Sequence, residues 1–192
     1  MFPGFASEFH KLSDLERSNL IGLLLDQTRG LAGPSAIVSI AALATARPNL
    51  RFVKVEANPP GRVVTTLLSG SPAVPALVGY AGMLLPDALR RGAAGVQPGC
   101  SFTELYVLFW RLWTEGNQGS ANRLYGEVLP FLSYWMQHPE LIIAAEKLIS
   151  YRRGLIACAN CRKPAWHLDG PEVAMVDDFL RHFADVLGGI NG

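Results

Sequence analysis

The sequence predicts an α/β fold: a parallel sheet in the first half, followed by a mainly helical second half. Two observations carry this. Short apolar or β-branched runs alternate with helical stretches up to about residue 97, and from Ser101 onward only helical periodicity remains. Alternation of strand and helix is the pattern of parallel strands joined by crossovers.

Taken in order, Ser13 to Arg29 reads as a helix, with Ser13 as cap, Glu16 three positions on and Gly30 as terminator. Ala36 to Ile40 reads as a buried strand, being continuous, β-branched and bounded by Gly-Pro, and Ala41 to Ala46 as a short helix. Leu50 to Glu56 is the clearest strand, stopped by Asn58, Pro59, Pro60 and Gly61. Then come a helix from Arg62 to Leu68, a strand from Val74 to Val78, a helix from Leu85 to Arg91 and a strand from Gly95 to Gln97. Four helices follow: Phe102 to Thr114, Ser120 to Trp135, Pro139 to Tyr151 and Pro171 to Leu187. With no Gly/Ser/Pro-rich linker or repeat, the 192 residues are expected to form one domain, 1–100 carrying the strand–helix units and 101–192 the helices.

Composition excludes several classes. Hydrophobic residues make up 49% and charged residues 17%, with net charge +1 and no basic cluster, so no nucleic-acid partner is expected. The longest apolar runs fall far short of the ~20 residues that cross a bilayer. The first residues lack the charged-then-apolar pattern of a secretory signal, and three cysteines make no disulfide framework. A cytoplasmic location, with no membrane partner, is the expectation.

The residue that invites chemistry is Lys54. Strand alternation puts Phe52, Lys54 and Glu56 on one face, and Arg51, Val53 and Val55 on the other. One reading pairs Lys54 with Glu56 or another acid, because a buried ammonium needs a partner. The other makes it a nucleophile, since burial favours the neutral amine that attacks carbonyls. Weaker signals are Cys158-Ala-Asn-Cys161, which with His167 and Cys100 supplies zinc-ligand types but only one knuckle; no metal is expected. His10 and His182 read as surface residues. Trp110, Trp113 and Trp135 read as core or interface. The stretch RRGAAGVQPG lacks both nucleotide-binding glycine patterns.

Four segments together carry a family resemblance: GFASEFHKLSDLER (Gly4 to Arg17), PNLRFVKVE (Pro48 to Glu56), VGYAGMLLPDALRRGAAGVQPG (Val78 to Gly99), and the helices with ELYVLFWRLWTEGNQGSANRLY and EKLISYRRGLI. In this order they resemble the dihydrodipicolinate synthase/N-acetylneuraminate lyase family of class I aldolases. The resemblance implies an incomplete (β/α)8 TIM-barrel-like fold with a helical C-terminal extension. Strands one, four and five, and the catalytic tyrosine carried on strand five, have no counterpart. It implies a lyase that binds pyruvate or a related 2-oxo acid as a lysine Schiff base, without a cofactor. Lys54 would be the nucleophile; Gly4, Ala6, Ser7, Glu8, Gly79 and Tyr80 would bind substrate. Phe5 and Ala6 stand where the family's pattern has two threonines. Tyr80 is a candidate to replace the lost tyrosine in part. A sheet too short to close exposes edges and apolar faces, so a homo-oligomer is expected. The alternatives are a non-catalytic truncated homologue and a self-associating interaction protein.

Overall fold

The computed structural model describes residues 34–47 and 49–188. The first described element corrects the sequence reading: Ala36 to Ile40 is not a strand but lies within helix α1 (Pro34–Ala46). A short apolar run does not by itself distinguish a strand from a buried helix turn. Here proline stands at the first helical position and five alanines follow, both favourable to helix.

The sheet consists of β1 (Val53–Val55), β2 (Ala76–Val78) and β3 (Gly95–Val96), all parallel, with β2 in the middle. They lie inside the expected segments but are shorter. Helix α2 (Gly61–Ser69) connects β1 to β2; α3 (Leu85–Arg90) connects β2 to β3. Val55, Ala76 and Val78 are buried in one core with Val64 and Leu67 of α2 and Leu85, Ala88 and Leu89 of α3. The helices therefore cover the sheet face that carries Val55 and Val78.

The second half comprises α4 (Thr103–Thr114), α5 (Gln118–Trp135), α6 (Pro139–Arg152), α7 (Gly170–His182) and α8 (Ala184–Leu187). The single helix expected over Pro171 to Leu187 is broken at Phe183, whose ring is buried. Helix α7 starts on a reciprocal capping box: the Glu172 amide donates to Asp169 and the Asp169 amide to Glu172. The helices close around an aromatic cluster. Phe179 packs edge-on against Phe102 at 5.0 Å, Phe131 at 5.1 Å and Trp135 at 5.2 Å between ring centroids. Edge-to-face packing is the arrangement that ring quadrupoles favour. Trp135 is core as expected, and Trp113 stacks on Phe109, whereas Trp110 remains 38% exposed. Among the described residues no helix is long and apolar enough to cross a membrane.

Candidate active site

Lys54 is the middle residue of β1, and its register neighbours across the sheet are Leu77 and then Gly95. This is the face that α2 and α3 do not cover. Phe52, on the same face, is 52% exposed, and the Lys54 side chain keeps 33% of its accessibility. In a closed barrel such a face would line the interior.

The Lys54 ammonium lies 2.8 Å from Glu56 Oε1, so the pairing inferred from strand alternation is present. Glu56 Oε1 also accepts the Tyr80 amide at 3.4 Å. Gly79 lies directly against this pair. A Cβ there would fall 2.6 Å from both Lys54 Cε and Glu56 Oε1, closer than atoms can pack. The glycine at position 79 therefore makes room for the ion pair.

After β2 the chain turns through Tyr80–Gly82 with Tyr80 at φ +55° and Ala81 at φ +49°. Two successive side-chain-bearing residues in the left-handed region cost on the order of 1–3 kcal/mol each. The surroundings hold them. Besides the Tyr80 amide bond to Glu56, the Tyr106 hydroxyl donates to the Ala81 carbonyl at 2.7 Å. Tyr80 thus reaches the Lys54–Glu56 pair through its backbone; its hydroxyl makes no hydrogen bond to Lys54. A cavity of about 100 Å³ lies at these strand ends, between Ala57, Asn58 and Pro60 on one side and Gly79, Tyr80 and Met83 on the other. Lys54 is not part of its lining. Gly4, Ala6, Ser7 and Glu8 lie outside the described residues.

A second cluster, which sequence reasoning missed, surrounds the loop from β3 to α4. Glu146 on α6 and Arg153, the residue that follows its last turn, both reach that loop. A Cβ on Gly99 would lie within 1.8 Å of a Glu146 oxygen, so the carboxyl packs directly onto the glycine backbone. Burial pushes the Glu146 carboxyl up to about 7, against a smaller downward pull from the nearby Ser101 hydroxyl. That hydroxyl is itself buried and makes no well-formed hydrogen bond. Arg153 donates to the Ser101 and Leu187 carbonyls and forks onto Glu104 at 3.1 and 2.6 Å. The Arg153 hydrogen bond holds Glu104 below the usual carboxylate range, more than burial raises it. One signal was available: Glu146 interrupts the apolar run Leu141 to Ala145 and is followed by Leu148 and Ile149.

Cys100 and Cys158 are exposed, Cys161 is partly exposed, and no group of three or more His, Cys, Asp or Glu side chains forms a metal-binding cluster among the described residues. His182 is exposed beside Glu127 at 3.2 Å.

No family model and no curated protein matches the chain. Solved structures do. A dihydrodipicolinate synthase from Rhodopseudomonas palustris is 26% identical, with a TM-score of 0.62 over 68% of this chain and 44% of that one. The 4-hydroxy-tetrahydrodipicolinate synthase of Methylacidiphilum fumariolicum SolV is 21% identical, with a TM-score of 0.65 over 79% of this chain and 50% of that one. A prophage protein of the dihydrodipicolinic acid synthase family from E. coli K12, solved in complex with pyruvate, is 20% identical, with a TM-score of 0.61 over 78% and 50%. The chain spans about half the length of the structures it matches. Over the matched residues its fold is that of about half of these dihydrodipicolinate synthase family structures.

Proposed function

We propose that Lys54 condenses with pyruvate or a related 2-oxo acid to form a Schiff base, the first step of class I aldolase chemistry. The observation that carries this reading is the position of Lys54: one residue before the C-terminal end of a parallel strand, on the uncovered face, with a carboxylate at 2.8 Å. Active sites of parallel barrels form at that end. An ammonium cannot attack a carbonyl, so the ion pair must first relax. Glu56 accepts one proton from Lys54, and the freed amine adds to the ketone carbon. The resulting carbinolamine takes that proton back from Glu56 at its hydroxyl and loses water, leaving the protonated imine beside the Glu56 carboxylate. Glu56 thereby acts as general base and then as general acid within hydrogen-bond reach of the reacting nitrogen.

A non-catalytic homologue is the second reading. It is favoured by the strand-end cavity, whose lining excludes Lys54, and by the absence of a tyrosine hydroxyl on the amine. Incubation with pyruvate and borohydride, followed by intact and peptide mass, separates the two. The first reading expects a reduced pyruvyl adduct on Lys54, lost in Lys54→Ala and formed more slowly in Glu56→Gln. Absence of an adduct on Lys54 across a panel of 2-oxo acids leaves the second.

A further inference from the structure

The connection between α6 and α7 holds a pair of thiols that the Lys54 chemistry does not use. It contains neither helix nor strand between residues 153 and 169, so its backbone carries no ladder that closing a ring would break. Cys158 is exposed and Cys161 partly so. Two contacts anchor the irregular segment between them. The Cys161 thiol folds back toward the Ala159 carbonyl at 3.7 Å, and the Lys147 ammonium on α6 donates to the Asn160 carbonyl at 2.6 Å. The segment is thus held against α6 by a charged hydrogen bond. A disulfide requires a Cα separation of roughly 4.4–6.8 Å, which this irregular segment, carrying no turn or bend at Cys158–Cys161, reaches by bending between the two cysteines. No third side chain of metal-binding type joins them among the described residues.

The surroundings also select by charge. Arg162 and Lys163 follow directly, Lys147 lies alongside, and no Asp or Glu occurs from Gly154 to Leu168. The nearest acids beyond are engaged: Asp169 caps α7, and Asp177 pairs with Arg152 at 3.2 Å. A positively charged rim raises the local concentration of anionic reactants.

We propose that Cys158 and Cys161 form a redox dithiol that a small anionic disulfide oxidises to an intramolecular disulfide. The Cys158 thiolate attacks one sulfur of the reagent and breaks its S–S bond, and the departing thiolate takes up a proton. Cys161 then attacks the Cys158 sulfur of the mixed disulfide and expels the second small thiol. Two protein thiols lose two electrons and two protons in total, and the reagent disulfide gains both as two thiols.

The test uses the full chain with Cys100→Ser, to remove the third thiol. It is equilibrated with glutathione disulfide and glutathione at several ratios, alkylated and weighed intact. The expected result is joint loss of both alkylation sites with no lasting glutathione adduct, whereas Cys158→Ser and Cys161→Ser each retain one. A lasting adduct with both cysteines present, or two sites lost independently, overturns the dithiol. At low ionic strength glutathione disulfide should react roughly tenfold faster than neutral hydroxyethyl disulfide, with the advantage shrinking in high salt. Equal rates overturn the preference for an anion. Lys54→Ala should leave every one of these readouts unchanged, because the dithiol stands apart from the imine chemistry.

Discussion

The helical half and the sheet half of this molecule solve the problem of burial differently. In the helical half, α4 to α8 surround Phe102, Phe131, Trp135, Phe179 and Phe183, and the aromatic core is closed by its own elements. In the sheet half, the buried apolar side chains of the strands, Val55, Ala76 and Val78, lie on the face that α2 and α3 cover. The face carrying Phe52 and Lys54 leaves Phe52 52% exposed and the Lys54 side chain with 33% of its accessibility. The more open face is also the one that carries Lys54. A surface that must admit a substrate or a partner cannot also be sealed by the fold's own core.

The sharpest way to break the comparison is to cavitate the closed half. Trp135→Ala removes a completely buried ring and should cost about 3–5 kcal/mol. Urea unfolding should show the loss as a large fall in midpoint. A fall confined to a small fraction of that would mean the aromatic cluster is not the main source of stability.

Arg153→Ala tests the joint between the halves, because Arg153 ties the β3–α4 loop to the C-terminal end of α8. Its guanidinium is 7% exposed, and its removal leaves two carbonyls and Glu104 without their donor. We expect a loss of about 3 kcal/mol. Lys at this position should recover only part, since it lacks the fork that reaches several acceptors at once.

Glu146→Gln examines the same joint through pH. Burial pushes the folded carboxyl up to about 7, whereas in the unfolded chain it returns to its ordinary value of about 4.5. Between these values the folded state binds more protons than the unfolded state, so stability is full below about pH 4.5 and falls as pH rises towards 7. Each pH unit of that window contributes up to about 1.4 kcal/mol, so the glutamine variant should be more stable by about 2–3 kcal/mol at pH 8 and nearly neutral at pH 4.5. Glu172 works in the opposite sense. Burial alone raises it, but donors from the Asp169 amide, the Trp166 indole and the Tyr134 hydroxyl outweigh burial and leave it lowered. Its stabilisation is present at neutral pH and is lost as pH falls through its depressed value. Thermal melts of wild type and Glu146→Gln from pH 4.5 to 8 measure the difference directly.

The smallest effect on stability belongs to the open face. Phe52→Ser removes an exposed ring and should change unfolding free energy by less than about 0.5 kcal/mol. If that face mediates self-association, the variant should nonetheless shift to smaller species by size-exclusion chromatography with light scattering. An unchanged mass distribution would remove Phe52 from any interface.

Much of this arrangement was legible in local sequence. The segments holding the three strands, the helices that follow them and the Lys54–Glu56 pair all follow from alternation, punctuation by proline and glycine, and helical spacing, which act over a few residues. The exception, α1, shows the limit: Ala36 to Ile40 has the residue types of a buried strand, and its apolar side chains are compatible with either period. What only the tertiary structure decided lies at longer range. Arg153 meets Glu104 across 49 positions and Tyr106 meets Ala81 across 25. The left-handed turn at Tyr80 and Ala81 depends on such distant partners, because neither residue type favours that conformation by itself. The same holds for Glu146, whose proton affinity comes from burial against Gly99 and Ser101. Local sequence determined which segments become strands and helices, since dihedral preference and side-chain periodicity are short-range. Packing decided which face stayed open and which carboxyl lost its water, since burial depends on every element at once.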